Sequence, residues 1–230
     1  HRDLLSFPTR RSSDLNAVGR ELPRQVYAHS FWISEGQKMS KSLGNFIDLE
    51  KIDRYVETFG LDAFRYFLAS NGPLGINDSD FAEARFAEVY TDALADKMGN
   101  LVNRSLTMIQ RYRDGVIPVG ESDLRGDAEK TAAVYRERME QLDVGGALER
   151  VWEFVVRANQ YVEESAPWKL AKDPALARRL DAVLFSLAEA VRQIARWIEP
   201  VMPATAAQIR AQLGVDGRLG TVTPLFPKKT

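Results

Sequence analysis

Apolar residues recur every three or four positions along most of the chain, which predicts a mainly α-helical protein. The pattern is longest in FAEARFAEVYTDALADKMGNLVNRSLTMIQRYR, residues 81–113, which contains no proline and predicts one long amphipathic helix. Turn residues in 114–127 end it. The later apolar pattern predicts three more helices and a short last one, at about 127–142, 145–165, 174–198 and 204–214. We therefore expect residues 80–230 to form an antiparallel helix bundle.

The residues before this bundle have a different pattern. VYAHSFWI, residues 26–33, is rich in aromatic and β-branched residues and predicts a strand. Asp48 is the predicted N-cap of the helix LEKIDRYVETF, which should end at Gly60, and a second helix should begin at Asp62. We expect residues 16–79 to be a short α/β segment, joined to the bundle by the turn-rich NGPLGINDSD.

The start of the chain looks foreign to the rest. SFPTRRSSDL, from Ser6 to Leu15, is similar to one reading frame of a common DNA-sequencing adapter. We interpret residues 1–15 as a non-native arm and leave them out of the fold; a natural polar arm is the alternative. If the arm is non-native, the native protein is expected to extend further upstream.

The composition excludes some kinds of site, but it does not indicate a binding partner. The chain has 230 residues, 45% of them hydrophobic, and a formal net charge of -1, which argues neither for nor against nucleic acid. It has no cysteine and 2 histidines, so we predict no disulfide and no zinc or other metal site. No apolar run reaches membrane-spanning length, and we expect a cytoplasmic protein without a membrane partner.

The segment KMSKSLGN, residues 38–45, has the chemistry of a loop that holds phosphate. Lys38 and Lys41 can place two ammonium groups around a triphosphate, and Ser40 and Ser42 add hydroxyl donors. These groups can neutralise charge that develops on a pyrophosphate leaving group. The alternative to a phosphate site is a solvated lysine–serine loop without a ligand. A match to KxSKS alone would favour that alternative.

KMSKSLGN resembles the second signature motif of class I aminoacyl-tRNA synthetases, and the downstream GLDAFRYFL resembles the helix that follows it there. Two later strings, GNLVNR at Gly99–Arg104 and APW at Ala166–Trp168, are similar to strings of the methionyl-tRNA synthetases. The resemblance extends from about residue 17 to the end of the chain. The alternatives are a stand-alone tRNA-binding helical module, or another class I enzyme such as a cysteinyl-tRNA synthetase.

The resemblance implies an ATP-dependent ligase that converts methionine to methionyl-adenylate and transfers it to tRNA(Met). Lys38 and Lys41 would be its catalytic cations, and the same loop would bind ATP, accompanied by Mg²⁺, through Lys38, Met39, Ser40, Lys41 and Ser42. The family's other signature, an HIGH-type string, is absent from these 230 residues. We therefore expect the chain alone to be inactive. We also expect it to be a monomer or a weak dimer.

The resemblance also implies anticodon recognition by the helical part. Asn100 and Arg104 are four positions apart and share one helix face, and Trp168 follows a proline. Amide and guanidinium groups read base edges, and an indole stacks on base faces. We expect these three residues to read the CAU anticodon, with Trp168 stacked on its cytosine. The simpler alternatives are that Asn100 and Arg104 form an ordinary polar stripe and that Trp168 is a packing residue. Asn103 and Lys169 are expected to touch the tRNA backbone.

Overall fold

The computed structural model describes residues 17, 19, 27–34, 36–74 and 77–227. The predicted arm, residues 1–15, lies outside this part of the chain, and so does Val26, the first residue of the predicted strand. In the described part, no helix combines the length and the apolar content that crossing a bilayer requires.

A small sheet of three strands opens the described fold, in the order β2-β1-β3. The central strand β1 spans Trp32–Ser34, β2 spans Gln37–Lys38 and pairs with it antiparallel, and β3 spans Ser79–Asp80 and pairs with it in parallel. β3 lies within the segment that we predicted as a connector.

The predicted strand at 26–33 is wrong over most of its described length, because regular pairing begins only at Trp32. The backbone N–H of Phe31 donates instead to the Asp78 carboxylate at 2.9 Å, and that of Ser30 to the Pro73 carbonyl at 3.1 Å. The Asp78 side chain and the Pro73 carbonyl therefore accept the backbone hydrogen bonds that a longer β1 would have made to a neighbouring strand.

Two helices follow the loop and agree with the predicted boundaries. Helix α1 spans Leu49–Phe59; the Asp48 side chain accepts a hydrogen bond from the Lys51 N–H at 2.9 Å, and Gly60 ends the helix at a φ of 91°. Helix α2 spans Leu61–Asn71. The cap and the glycine act locally, so the sequence alone indicates both ends of α1.

The long helix is present but is not α-helical throughout. Helix α3 spans Glu83–Val89, a π-helical segment spans Tyr90–Gly99, and helix α4 spans Asn100–Arg113. Apolar periodicity predicts the rod but does not distinguish the wider turn of a π-helix, which is uncommon and often occurs at functional sites. The widened turn ends directly before Asn100.

The rest of the described chain completes a helix bundle. Its elements are α5 Arg125–Glu140, α6 Val144–Ser165, α7 Pro167–Leu170, a 3₁₀ turn Pro174–Leu176, α8 Ala177–Ile198 and α9 Pro203–Leu213. The main core lies between α4, α6 and α8, and it buries Trp152 and Trp197. The mainly α-helical fold class is confirmed, whereas the short helix α7 was not predicted.

Candidate functional site

The phosphate loop is a turn held by one asparagine. The Asn45 side chain accepts a hydrogen bond from the Ser40 N–H at 2.8 Å and donates to the Lys38 carbonyl at 3.2 Å. Gly44 then closes a 3₁₀ turn, Lys41–Leu43, with a φ of 68°. Both bonds join loop backbone to one amide, so neither lysine side chain takes part in them.

The predicted ATP-binding residues divide into an outward and an inward group. Lys38, Lys41 and Ser42 are exposed, whereas Ser40 is half-buried and Met39 packs against the core. Within the described part of the chain, neither lysine forms an ion pair, and Lys41 Nζ lies 5.7 Å from the centre of the Phe46 ring. The two ammonium groups are therefore available to a phosphate ligand.

Beside this loop lies a cleft of about 410 Å³ between the loop and α1. Its walls include Asn45, Lys51, Arg54 and Tyr55, of which the last three project from α1. Burial, together with Glu83, raises the pKa of Tyr55 to about 12, and the Tyr55 hydroxyl donates to the Glu83 carboxylate at 3.2 Å. The spacing of these positions on α1 was a signal for this face that the sequence analysis missed.

The edge of the small sheet is held by an ionised carboxylate. Hydrogen bonds from the Ser30 hydroxyl and the Phe31 N–H lower the pKa of Asp78 below its ordinary value. Asp80 on β3 accepts from the Gly36 N–H at 3.1 Å. Both aspartates thus fix the hairpin that presents the loop.

The second candidate site lies where α4 meets α7. The guanidinium carbon of Arg104 lies 6.0 Å from the centre of the Trp168 ring, within the range of cation–π contacts. Arg104 also donates to the Glu163 carboxylate at 2.8 Å. Trp168 is placed by Ala166, which has left-handed backbone angles, φ 42° and ψ 60°, and by Pro167 at the first position of α7.

Arg104 and Trp168 are therefore close enough to contact one ligand. Asn100 is exposed one turn before Arg104 on the same face. Glu163 was missed by the sequence analysis, and nothing in the local pattern distinguishes it from its acidic neighbour Glu164.

The described residues contain no group of three or more histidine, cysteine, aspartate or glutamate side chains that could hold a metal ion. The chemistry of the phosphate loop, with ammonium and hydroxyl groups, suits phosphate oxygens rather than a bare cation.

Two family models match consecutive parts of the chain. The model described as tRNA synthetases class I (M) matches residues 5–106, and the anticodon binding domain of methionyl tRNA ligase matches residues 114–220. The first covers the phosphate loop, Asn100 and Arg104, and the second covers Trp168.

Curated relatives agree with both matches. The chain is 42% identical over 214 residues to the methionine–tRNA ligase of Caldanaerobacter subterraneus, and 38% identical over 208 residues to that of Bacillus subtilis. These alignments cover 90% and 87% of this chain but 33% and 31% of the relatives, so the chain spans about a third of their length.

Solved structures show the same fold. The chain superposes with a TM-score of 0.84 and 32% identity on Mycobacterium tuberculosis methionyl-tRNA synthetase in complex with methionyl-adenylate, over 94% of this chain and 46% of that one. The apo form of the same synthetase gives a TM-score of 0.82 at 29% identity, over 96% and 47% of the two chains.

Proposed function

Because the chain belongs to the methionyl-tRNA synthetase family, we propose that it is the part of a methionine–tRNA ligase that holds the phosphates of ATP and reads the anticodon of tRNA(Met). The observation that carries the proposal is the contact between Arg104 and Trp168, which brings two family-typical strings together at one surface. The methionyl identity of the relatives disfavours the cysteinyl alternative.

In the proposed reaction, the carboxylate of methionine attacks the α-phosphate of ATP and pyrophosphate leaves. The 3′-terminal adenosine of tRNA(Met) then attacks the adenylate carbonyl, and AMP leaves. Negative charge grows on the pyrophosphate in the first step, and Lys38 and Lys41 are the groups of this chain that stabilise it. Mg²⁺ bound to ATP would screen the same phosphates.

Each loop residue has its own part in this proposal. Lys41 and Ser42 are exposed at the turn and contact phosphate oxygens, with Lys41 the stronger contributor to the transition state. Ser40 lies 2.7 Å from Ser42, oxygen to oxygen, and its hydroxyl adds a further donor. Met39 acts through its packing, because its side chain packs against the core.

At the helical site, Trp168 is proposed to stack on the cytosine of a CAU anticodon. Arg104 lies over the same indole, so its guanidinium is positioned to donate to the edge of the stacked base. Asn100, one turn away, offers an amide to the same strand of RNA. The Arg104–Glu163 pair is exposed enough to exchange partners at little cost, because surface ion pairs contribute about 0–1 kcal/mol.

The proposed activity needs a second set of groups on the opposite side of ATP. The HIGH-type string of the family is absent from the 230 residues, so we propose that the chain alone binds RNA but does not form methionyl-adenylate. We propose that the complete enzyme is cytoplasmic and that it is a monomer or weak dimer.

A charging assay tests this proposal. The protein encoded by the uninterrupted source gene, given ATP and Mg²⁺, should attach methionine to a tRNA(Met) transcript and should not attach cysteine to tRNA(Cys). The 230-residue chain should show no ATP–pyrophosphate exchange. Exchange by the chain alone would contradict the need for a second half, and failure of the complete protein to charge tRNA(Met) would overturn the ligase assignment.

A further inference from the structure

A cleft of about 350 Å³ opens between the end of the π-helical segment and the end of the described chain. We call it the tail cleft. Asp96, Gly99, Asn100 and Asn103 line one side, and the segment Pro224–Phe226 lines the other. Its volume is at the lower end of the range for small-ligand sites, about 300–1,000 Å³.

The far wall of this cleft is a fixed part of the fold. The Tyr90 hydroxyl donates to the Pro227 carbonyl at 2.8 Å, and the Tyr90 ring meets the Phe226 ring edge-on at 6.0 Å. Gln212 exchanges two hydrogen bonds with the backbone of Thr223, at 3.0 and 3.2 Å. These contacts hold the segment Pro224–Phe226 against the π-helical segment and α9.

Gly99 lies on the floor of the tail cleft, next to Phe226. A Cβ at Gly99 would lie 3.0 Å from the Leu94 carbonyl oxygen and 3.6 Å from the Phe226 ring. The absence of that atom leaves the floor of the cleft open where the π-helical segment ends.

The lining of the tail cleft indicates the class of ligand. Asn100 and Asn103 present exposed amides, which both donate and accept hydrogen bonds, opposite the apolar side chains of Leu225 and Phe226. None of the described residues that line the cleft is a lysine or an arginine, so its chemistry does not suit a phosphate. A flat, neutral heterocycle with a polar edge matches both walls.

Asn100 links the tail cleft to the proposed anticodon site. Asn100 lines the cleft and lies one turn before Arg104 on the same face of α4, and Arg104 contacts Trp168. We propose that the tail cleft is a second base-binding subsite, in which Asn103 reads the edge of a nucleobase next to the one that stacks on Trp168. This inference rests on the proposed function, and it changes the sequence-based expectation that Asn103 touches the tRNA backbone.

The test uses the 230-residue chain and four RNA hairpins. One hairpin carries an intact CAU loop, and each of the other three has one anticodon base replaced by an abasic site. Asn103→Ala should weaken binding of the intact loop about 5- to 150-fold, the range expected for one good base-edge contact. The loss should vanish for one of the abasic loops, because its missing base leaves Asn103 without a partner.

Gln110→Ala is the matched control, since it removes an exposed amide from α4 outside the cleft and should leave all four affinities unchanged. Asn103→Leu keeps the size of the side chain and should reproduce the Asn103→Ala pattern. A loss below 2-fold, or an equal loss for all four hairpins, would overturn the proposal.

The failure of this inference is distinguishable from that of the proposed function. If the wild-type chain prefers the intact loop and Arg104→Ala lowers its affinity, but both Asn103 variants bind normally, only the second subsite is wrong. If the wild-type chain does not distinguish the four hairpins, anticodon recognition fails and the subsite fails with it.

Discussion

The Asp62 carboxylate accepts a hydrogen bond from the backbone N–H of Thr205 at 2.6 Å, in a buried position between α2 and the start of α9. Arg65, on the same helix, donates to the carbonyls of Val201 and Pro200 at 2.7 and 3.1 Å. The two side chains therefore bind the joint between α8 and α9. The partners of both side chains lie far along the chain, so the pattern within α2 does not indicate them.

Removing the Asp62 carboxylate should destabilise the fold. Met202, the N-cap residue of α9, has no side-chain bond to the helix, so Asp62 supplies the acceptor that a cap residue normally provides. Asp62→Ala leaves a buried N–H without this partner and should lower the free energy of unfolding by about 1–3 kcal/mol. Urea unfolding measures the loss.

Asp53→Ala is the matched control on α1, because Asp53 is exposed and should change stability by less than about 0.5 kcal/mol. Equal unfolding midpoints for Asp62→Ala and the wild type would show that the contact with Thr205 contributes nothing.

The Asp123 carboxylate should make stability depend on pH. Its burial acts to raise its pKa, but hydrogen bonds from Tyr161 at 2.5 Å and Arg179 at 2.6 Å outweigh burial and lower it. A lowered pKa in the folded state means that the carboxylate stabilises the fold above its unfolded pKa, about 4, and that this contribution is lost as the pH falls through the folded pKa.

Asp123→Asn should therefore be less stable than the wild type at pH 7, and the difference should shrink below about pH 4. Unfolding midpoints at several pH values measure it. A difference that stays constant from pH 7 to pH 3 would assign the effect to packing instead of charge.

Lys41→Ala should impair adenylation while leaving RNA binding intact. The side chain has no ion pair in the described structure and lies against Phe46, so its removal leaves the Asn45 hydrogen bonds in place. In the complete enzyme, ATP–pyrophosphate exchange should fall about 100- to 1,000-fold, as for other single donors to a developing negative charge.

Lys130→Ala is the control, because Lys130 is an exposed lysine on α5. If both variants exchange at the wild-type rate, the loop lysine has no catalytic part. If Lys41→Ala also weakens binding of the anticodon hairpin, its effect extends beyond the loop.

Glu163→Gln should strengthen RNA binding but reduce its selectivity. Glu163 holds the Arg104 guanidinium at 2.8 Å and adds negative charge beside the proposed RNA site. Its neutralisation lowers repulsion of phosphates for any sequence and releases Arg104 from its position over Trp168. Titrations with CAU and altered hairpins should both tighten, with a smaller ratio between them; weaker binding of both would contradict this account.

Local signals explain what the sequence predicted well. Asp48 and Gly60 act within one turn of the helix ends, so the limits of α1 could be predicted from neighbouring residues alone. The strand at Trp32 was misjudged because its length depends on Asp78 and Ser79, which arrive from a distant segment. The π-helical turn before Asn100 was missed because it preserves the apolar stripe on which the prediction rests.

The candidate sites show the same division. The residues of the phosphate loop are contiguous, so one string indicates them all, although the inward side chain of Met39 required the structure. Arg104 and Trp168 were singled out by family resemblance, whereas their contact depends on how α4 packs against α7. The tail cleft needs both Asn103 and Leu225, and no local pattern connects these positions.

The most direct test of the central claim is a titration of the 230-residue chain with a CAU anticodon hairpin and with a hairpin whose cytosine is changed. The wild type should prefer the CAU hairpin. Trp168→Ala should weaken the cognate complex about 5- to 150-fold, since a stacked base contributes about 1–3 kcal/mol, and Trp168→Phe should recover part of the loss. Equal affinity of the wild-type chain for the two hairpins, or unchanged cognate affinity in a folded Trp168→Ala variant, would contradict anticodon reading at this surface.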